Sequence, residues 1–131
     1  MGRRVMVVGA SVALTLLVLD LAFLGVVAKP VYDAALGGLR RQPVYWPPAL
    51  IFYAIYVFAI SRFAVMRASN RRDALKRGAS LGFVAYATFE LTSWAVLAGW
   101  PSFLVPIDIA WGVVLTGATA LAGRVSMERL G

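Results

Sequence analysis

A chain of 131 residues with 61% hydrophobic and only 15% charged side chains has room for one domain, but too small a core to hide that much apolar surface from water. The absence of cysteine and histidine excludes disulfides, iron–sulfur clusters, thiol chemistry and the commonest zinc, copper and haem ligands. The net charge of +7 is spread between long apolar runs rather than over one basic face, which points to a membrane surface and away from nucleic acid.

A membrane-spanning helix needs about 20 mostly apolar residues. The first such run, residues 5–27, follows Arg3 and Arg4 and ends at Ala28-Lys29-Pro30. It exceeds the roughly 7–15 apolar residues of a signal-peptide core and reads as a retained helix. In the loop that follows, Pro30 opens a short helix through Leu39, with Val31, Ala35 and Leu39 four apart. Tyr32, Tyr45 and Trp46 suit the aromatic belt of a membrane interface. The loop is therefore expected to form a short interfacial helix on the outer leaflet, or a lid over a cavity opening outward.

The second run, residues 47–65, begins with Pro47-Pro48, proline being welcome in the first turn of a helix. The third covers residues 78–98 and the fourth residues 103–123. Between them Gly99-Trp100-Pro101-Ser102 predicts a tight turn and an antiparallel hairpin. The runs lack the alternation of barrel strands, and in lipid only helices or closed barrels satisfy their backbone. The predicted fold is all-α: one integral membrane four-helix bundle over residues 1–131.

Its direction follows from the cations. Arg3, Arg4, Arg62, Arg67, Arg71, Arg72, Lys76, Arg77, Arg124 and Arg129 fall on one side, against Lys29, Arg40 and Arg41 on the other. The positive-inside rule then places both termini and the loop between the second and third helices in the cytoplasm.

Three carboxylates interrupt the apolar runs: Asp20, Glu90 and Asp108. Each costs at least about 2.5–3.5 kcal/mol in the hydrocarbon, so each is expected to face the bundle interior and to mark function. With a rise of about 1.5 Å per residue, all three fall between mid-membrane and the outer leaflet. Helical faces agree. Gly78, Gly82, Tyr86, Glu90 and Trp94 recur every four residues in the third helix. Asp108, Trp111, Gly112, Leu115 and Thr119 share a face of the fourth; Gly9, Ala13, Leu16 and Asp20 share one of the first. Tyr53 and Tyr56 lie at a comparable depth in the second. Gly78 and Gly82 permit a close helix crossing.

A protonated carboxyl bonded across a helix pair is the plainer account of one such acid, a contact averaging about 0.6 kcal/mol. Three at one level, without a buried cation, point instead to a site in which at least one holds a proton at neutral pH. A protonated and an ionised carboxyl side by side form an acid/base pair. Asp20, Glu90 and Asp108 are thus the candidate catalytic groups, and Tyr53, Tyr86, Trp94 and Trp111, with Lys29 and Tyr32 from the loop, the candidate ligand contacts. No cofactor is expected, and a metal site would need carboxylates and carbonyls alone. Ser11, Ser61, Ser80 and Ser93 have no histidine base, which argues against a serine hydrolase.

The run LDLAFLGVVAKPVY at residues 19–32, GFVAYATFELT at 82–92, GWP at 99–101 and IDIAWG at 107–112 resemble a family of small bacterial predicted membrane proteins, domain-of-unknown-function family 2177. That family's pattern has Asp more often than Glu where Glu90 stands, and Asn near Trp94, departures that keep the acid and lengthen its reach. The resemblance implies four helices in a bacterial (inner) membrane and implies no particular activity.

The leading expectation is a site in the outer half of the bundle that binds, or transforms by acid/base chemistry, a lipid- or isoprenoid-like molecule. A small proton- or cation-coupled transporter acting as a homodimer is the second, with Gly9–Ala13 and Gly112–Thr116–Ala120 as packing faces. An accessory subunit of a membrane complex is the third.

Overall fold

The structure, a computed structural model, describes residues 2–23 and 46–130. Among the described residues it is all-α: α1 (Gly2–Phe23), α2 (Trp46–Ala59) continued by a π-helical segment (Ile60–Met66), α3 (Arg71–Val96) and α4 (Leu104–Leu130). The segment of the expected interfacial helix, with Lys29 and Tyr32, lies outside the described residues, as do residues 24–27 of the first span.

Three stretches, Gly2–Phe23, Pro47–Met66 and Leu104–Leu130, are long and apolar enough to cross a membrane. α3 has 26 residues, length enough, but Glu90 and several hydroxyls make it more polar. The outward faces carry exposed Leu14, Val18, Leu50, Ile55, Phe58, Phe83, Val84 and Val114. Apolar surface on this scale on a monomer belongs against lipid.

The helices run up and down in turn. Contacts of Ser11 with Ser126 and of Asp20 with Trp111 make α1 antiparallel to α4. Tyr56 meets Thr116, and Val65 lies beside Gly123, so α2 and α4 are parallel. α4 is the central helix, buried from Leu104 to Met127 along one face. Val8, Val12 and Leu16 of α1, with Ile60, Ala64 and Val65 of the π segment, close the core around its Leu115 and Ala120.

The closest packing joins α3 to α4. A Cβ on Gly78 would stand 2.6 Å from both the Ala120 Cβ and the Thr116 carbonyl oxygen, and one on Gly82 would overlap the Gly112 carbonyl. Small residues thus bring the two backbones together, as dispersion-driven packing in lipid requires. This corrects one expectation. The Gly112–Thr116–Ala120 ladder is not free to receive a second copy, because Gly78 and Gly82 of the same chain occupy it.

At the start of α3 and the end of α4 the helices outrun the apolar stretches. α3 starts at Arg71 rather than residue 78, because Asn70 caps it by accepting the Asp73 N–H at 2.8 Å. Asp73 in turn accepts from the Ser69 N–H at 2.9 Å and from Arg77 Nε at 3.0 Å. The Ser69 backbone bond, followed by Arg77, holds its carboxyl below the usual carboxylate range. α4 runs on to Leu130, where Arg124 donates to the Ala68 carbonyl at 2.6 Å and to Glu128 at 2.9 Å. Arg71 meets the same Glu128 at 2.8 Å. These charged turns need water rather than lipid, so hydropathy does not reveal them.

Candidate functional site

Tight crossing of α3 and α4 at Gly78 and Gly82 lets the pair separate toward the Gly99 turn, where larger residues follow the glycines. Tyr86 packs its ring on Gly112, a position where any Cβ would strike it. One turn further out, buried Glu90 (1% exposed) and Asp108 (7% exposed) face each other across the helix pair, near enough for their carboxyls to interact.

The turn between α3 and α4 returns to this pair. Gly99 adopts φ 82°, a left-handed conformation open to glycine without strain, and is the one described residue that does so. The reversal brings Trp100 over Glu90, and its indole Nε1 donates to Glu90 Oε1 at 3.3 Å. Phe89 fixes the indole edge-on, with centroids 5.8 Å apart and planes at 84°.

Asp20 occupies the exposed rim on the α1 side. Trp111 Nε1 points to its Oδ1 at 3.5 Å, at the long limit of a hydrogen bond, and the indole stacks on Phe23 at 4.2 Å and 8°. Asp20 is near enough to Asp108 for the two charges to repel. Asp108 is therefore the junction, between Glu90 on one side and Asp20 on the other.

A pocket of about 290 Å³ opens between α2, α3 and α4, lined by Phe52, Ala85, Tyr86, Phe89 and Asp108. Its walls are almost wholly apolar and Asp108 is the acid among them. Phe52 and Phe89, each 54% exposed, form the mouth toward the lipid. Phe52 also stacks on Tyr56 at 5.2 Å, and the Tyr56 hydroxyl meets Thr116 Oγ1 at 2.5 Å, so this wall is anchored to α4. Among the described residues no set of three acidic side chains is spaced to hold a metal ion.

The structure gathers Asp20, Glu90 and Asp108 with Tyr86 and Trp111. Tyr53 is set apart: its hydroxyl donates to the Ala13 carbonyl, tying α2 to α1 beside the pocket. Trp94, 49% exposed, neither lines the pocket nor bonds an acid. It shares the Glu90 stripe, but by the register of the hairpin it stands level with the first residue of α4, where little remains to pack against. Sequence reasoning missed Phe52, Ala85, Phe89 and Trp100. The Gly-Trp-Pro run signalled the turn, though not the return of its indole to Glu90.

Apolar outward faces around an interior of acids, aromatics and hydroxyls define a helical integral membrane protein. More particularly, the chain belongs to the family described as predicted membrane protein (DUF2177), whose sequence model matches residues 5–125. No curated protein and no solved structure matches it.

Proposed function

We propose that this is a multi-pass protein of a bacterial inner membrane, with four spans and both termini in the cytoplasm, that binds a lipid- or isoprenoid-like molecule in the pocket at Asp108. The carrying observation is an apolar pocket whose mouth, between Phe52 and Phe89, faces lipid while Asp108 stands at its inner wall, with buried Glu90 behind it. At about 290 Å³ it is at the lower end of ligand pockets, which span roughly 300–1,000 Å³. It therefore takes a polar head and the first part of a chain, and the remainder leaves between the two phenylalanines into the bilayer. A hydroxyl or a cationic head suits Asp108, which accepts in its ionised form. Glu90, fixed by Trp100, is placed to exchange a proton with Asp108 and thereby with the bound group, the arrangement an acid/base isomerisation requires.

Native mass spectrometry of the protein purified in mild detergent tests this. Wild type is expected to retain one lipophilic molecule, and Asp108→Asn and Ala85→Phe to release it, the first by removing the acceptor and the second by filling the cavity. Equal retention by all three proteins would refute the assignment.

A further inference from the structure

The end of the bundle away from the pocket is strongly basic. The start of α1, the last turns of the π segment, the start of α3 and the end of α4 meet there, with Ser11 beside Ser126, Val65 beside Gly123 and Arg71 beside Glu128. From Asp108 to Gly123, α4 rises about 22 Å at about 1.5 Å per residue. In a hydrocarbon layer about 30 Å thick, that separation puts this end at the leaflet opposite the pocket.

Ten cations lie at this end, and nine of them are arginines. Its two acids are already engaged, Asp73 by Arg77, and Glu128 by Arg71 and Arg124. The other seven cations have no carboxylate partner among the described residues. Membrane topology asks only for positive charge on a flank, which lysine and arginine supply alike. A guanidinium differs in presenting a planar fork that matches two phosphate oxygens at once.

Two of these forks are held at one residue. Phe63, in the π segment, is 45% exposed on a stretch that crosses the membrane. The Arg67 guanidinium lies over its ring, with Cζ 5.2 Å from the centroid. From α3, Arg77 reaches the Phe63 carbonyl with Nη1 at 3.5 Å, while its Nε holds Asp73 at 3.0 Å. The Arg67 side chain makes no hydrogen bond or ion pair among the described residues, so its N–H donors are open. Two guanidinia against one carboxylate leave the cluster with a single net positive charge, the match for a phosphodiester.

We propose that Arg67, Arg77 and Phe63 form a site for an anionic phospholipid, its phosphate on the two guanidinia and an acyl chain along the Phe63 ring. The occupant is a lipid rather than a soluble phosphate because the residue that carries Arg67 is apolar and exposed, and an acyl chain covers it as no soluble anion does. A zwitterionic headgroup would set its ammonium against the unmatched arginines of this end, so the site selects net negative charge. The inference requires the chain to lie in a membrane. It is independent of which way the chain faces and of what the pocket takes.

The experiment places the full chain in nanodiscs containing equal amounts of phosphatidylglycerol and phosphatidylcholine, releases it into mild detergent, and weighs it with its lipids by native mass spectrometry. Wild type is expected to keep phosphatidylglycerol in preference to phosphatidylcholine. Arg67→Gln and Arg77→Gln should each lower that retention about fivefold, the worth of one basic side chain at an anionic surface. Phe63→Ala should lower it too, by freeing Arg67. Arg4→Gln and Arg129→Gln, cations of the same end that no contact joins to Phe63, should leave it unchanged. Thermal unfolding of each variant shows whether it is folded, and exposed Arg67 is the substitution least able to disturb the fold. No preference in wild type, or wild-type retention by folded Arg67→Gln, overturns the inference. An equal loss in all four arginine variants assigns the preference to diffuse surface charge and overturns the site. Displacement of the lipid by excess glycerol phosphate makes the occupant a soluble anion and overturns it as well. The pocket assignment fails separately, since Asp108→Asn should release the pocket lipophile and leave phosphatidylglycerol bound, and Arg67→Gln should do the reverse.

Discussion

Gly82→Ala tests the hairpin that holds the carboxyl pair. The added Cβ overlaps the Gly112 carbonyl carbon and oxygen, backbone atoms that cannot rotate aside, and stands 2.8 Å from the Thr116 Cβ. Relief requires α3 and α4 to part. Overpacking of this kind costs about 1–3 kcal/mol, and the rigid neighbours put Gly82 at the upper end. Alanine returns about 1 kcal/mol through its better helix propensity. The net expectation is a loss of about 2 kcal/mol, accompanied by a shift of Tyr86 and a wider separation of Glu90 from Asp108. Two controls carry the opposite sign. At Gly9 a Cβ meets nothing within 4 Å, and at Gly117 the nearest atom is the mobile Leu75 Cδ1 at 3.2 Å. Gly9→Ala and Gly117→Ala should be neutral or stabilising by up to about 1 kcal/mol. Unfolding in detergent followed by tryptophan fluorescence reads all three. If Gly82→Ala and Gly9→Ala shift the midpoint in the same direction by similar amounts, the backbone contact between α3 and α4 is not what holds the bundle.

Other outcomes follow from single contacts. A double-mutant cycle of Tyr56→Phe with Thr116→Val should give a coupling of about 0.6–1.7 kcal/mol, and a coupling of zero would remove the bond from the account of the core. Arg124→Ala strips two carbonyls of the turn before α3 of their donor and leaves Glu128 with Arg71 alone; it should cost about 2 kcal/mol and speed tryptic cleavage at Arg67, Arg71 and Arg72. The Asp73 carboxyl is held below its ordinary value of 3.8, so its contribution is whole above that value and is lost as pH falls through the lower folded one. Amide exchange at Ser69 should therefore accelerate below about pH 3.8, and Asp73→Asn should abolish that step. An unchanged step in the variant would assign it to another group.

Helix number and most of the packing chemistry were legible because lipid imposes a length and a polarity on each element. The charged extensions at the start of α3 and the end of α4 were not, since Asn70, Asp73, Arg124 and Glu128 are stabilised by caps and ion pairs that hydropathy scores as loop. The meeting of Glu90 with Asp108 could be read from depth and helical face together. Trp94 shows the limit of the same reasoning: a stripe fixes direction around a helix but not whether a neighbour extends that far. Phe52 and Phe89 escaped because a phenylalanine at a pocket mouth looks, in sequence, like any other facing lipid.

The backbone contact at Gly82 also bears on how the protein is made. α1, the α2 stretch and α4 are apolar enough to enter the hydrocarbon individually, whereas α3 carries Glu90 and its hydroxyls. Gly78, Gly82 and Glu90 are the positions buried against α4. On the proposed topology, α3 is therefore a poor passenger alone and a good one as half of a hairpin, with insertion waiting for the turn at Gly99 and the arrival of α4 at the translocation machinery. A chain halted before residue 104 should leave α3 at the membrane surface, so the glycines that shape the site also set the order in which the membrane accepts the helices.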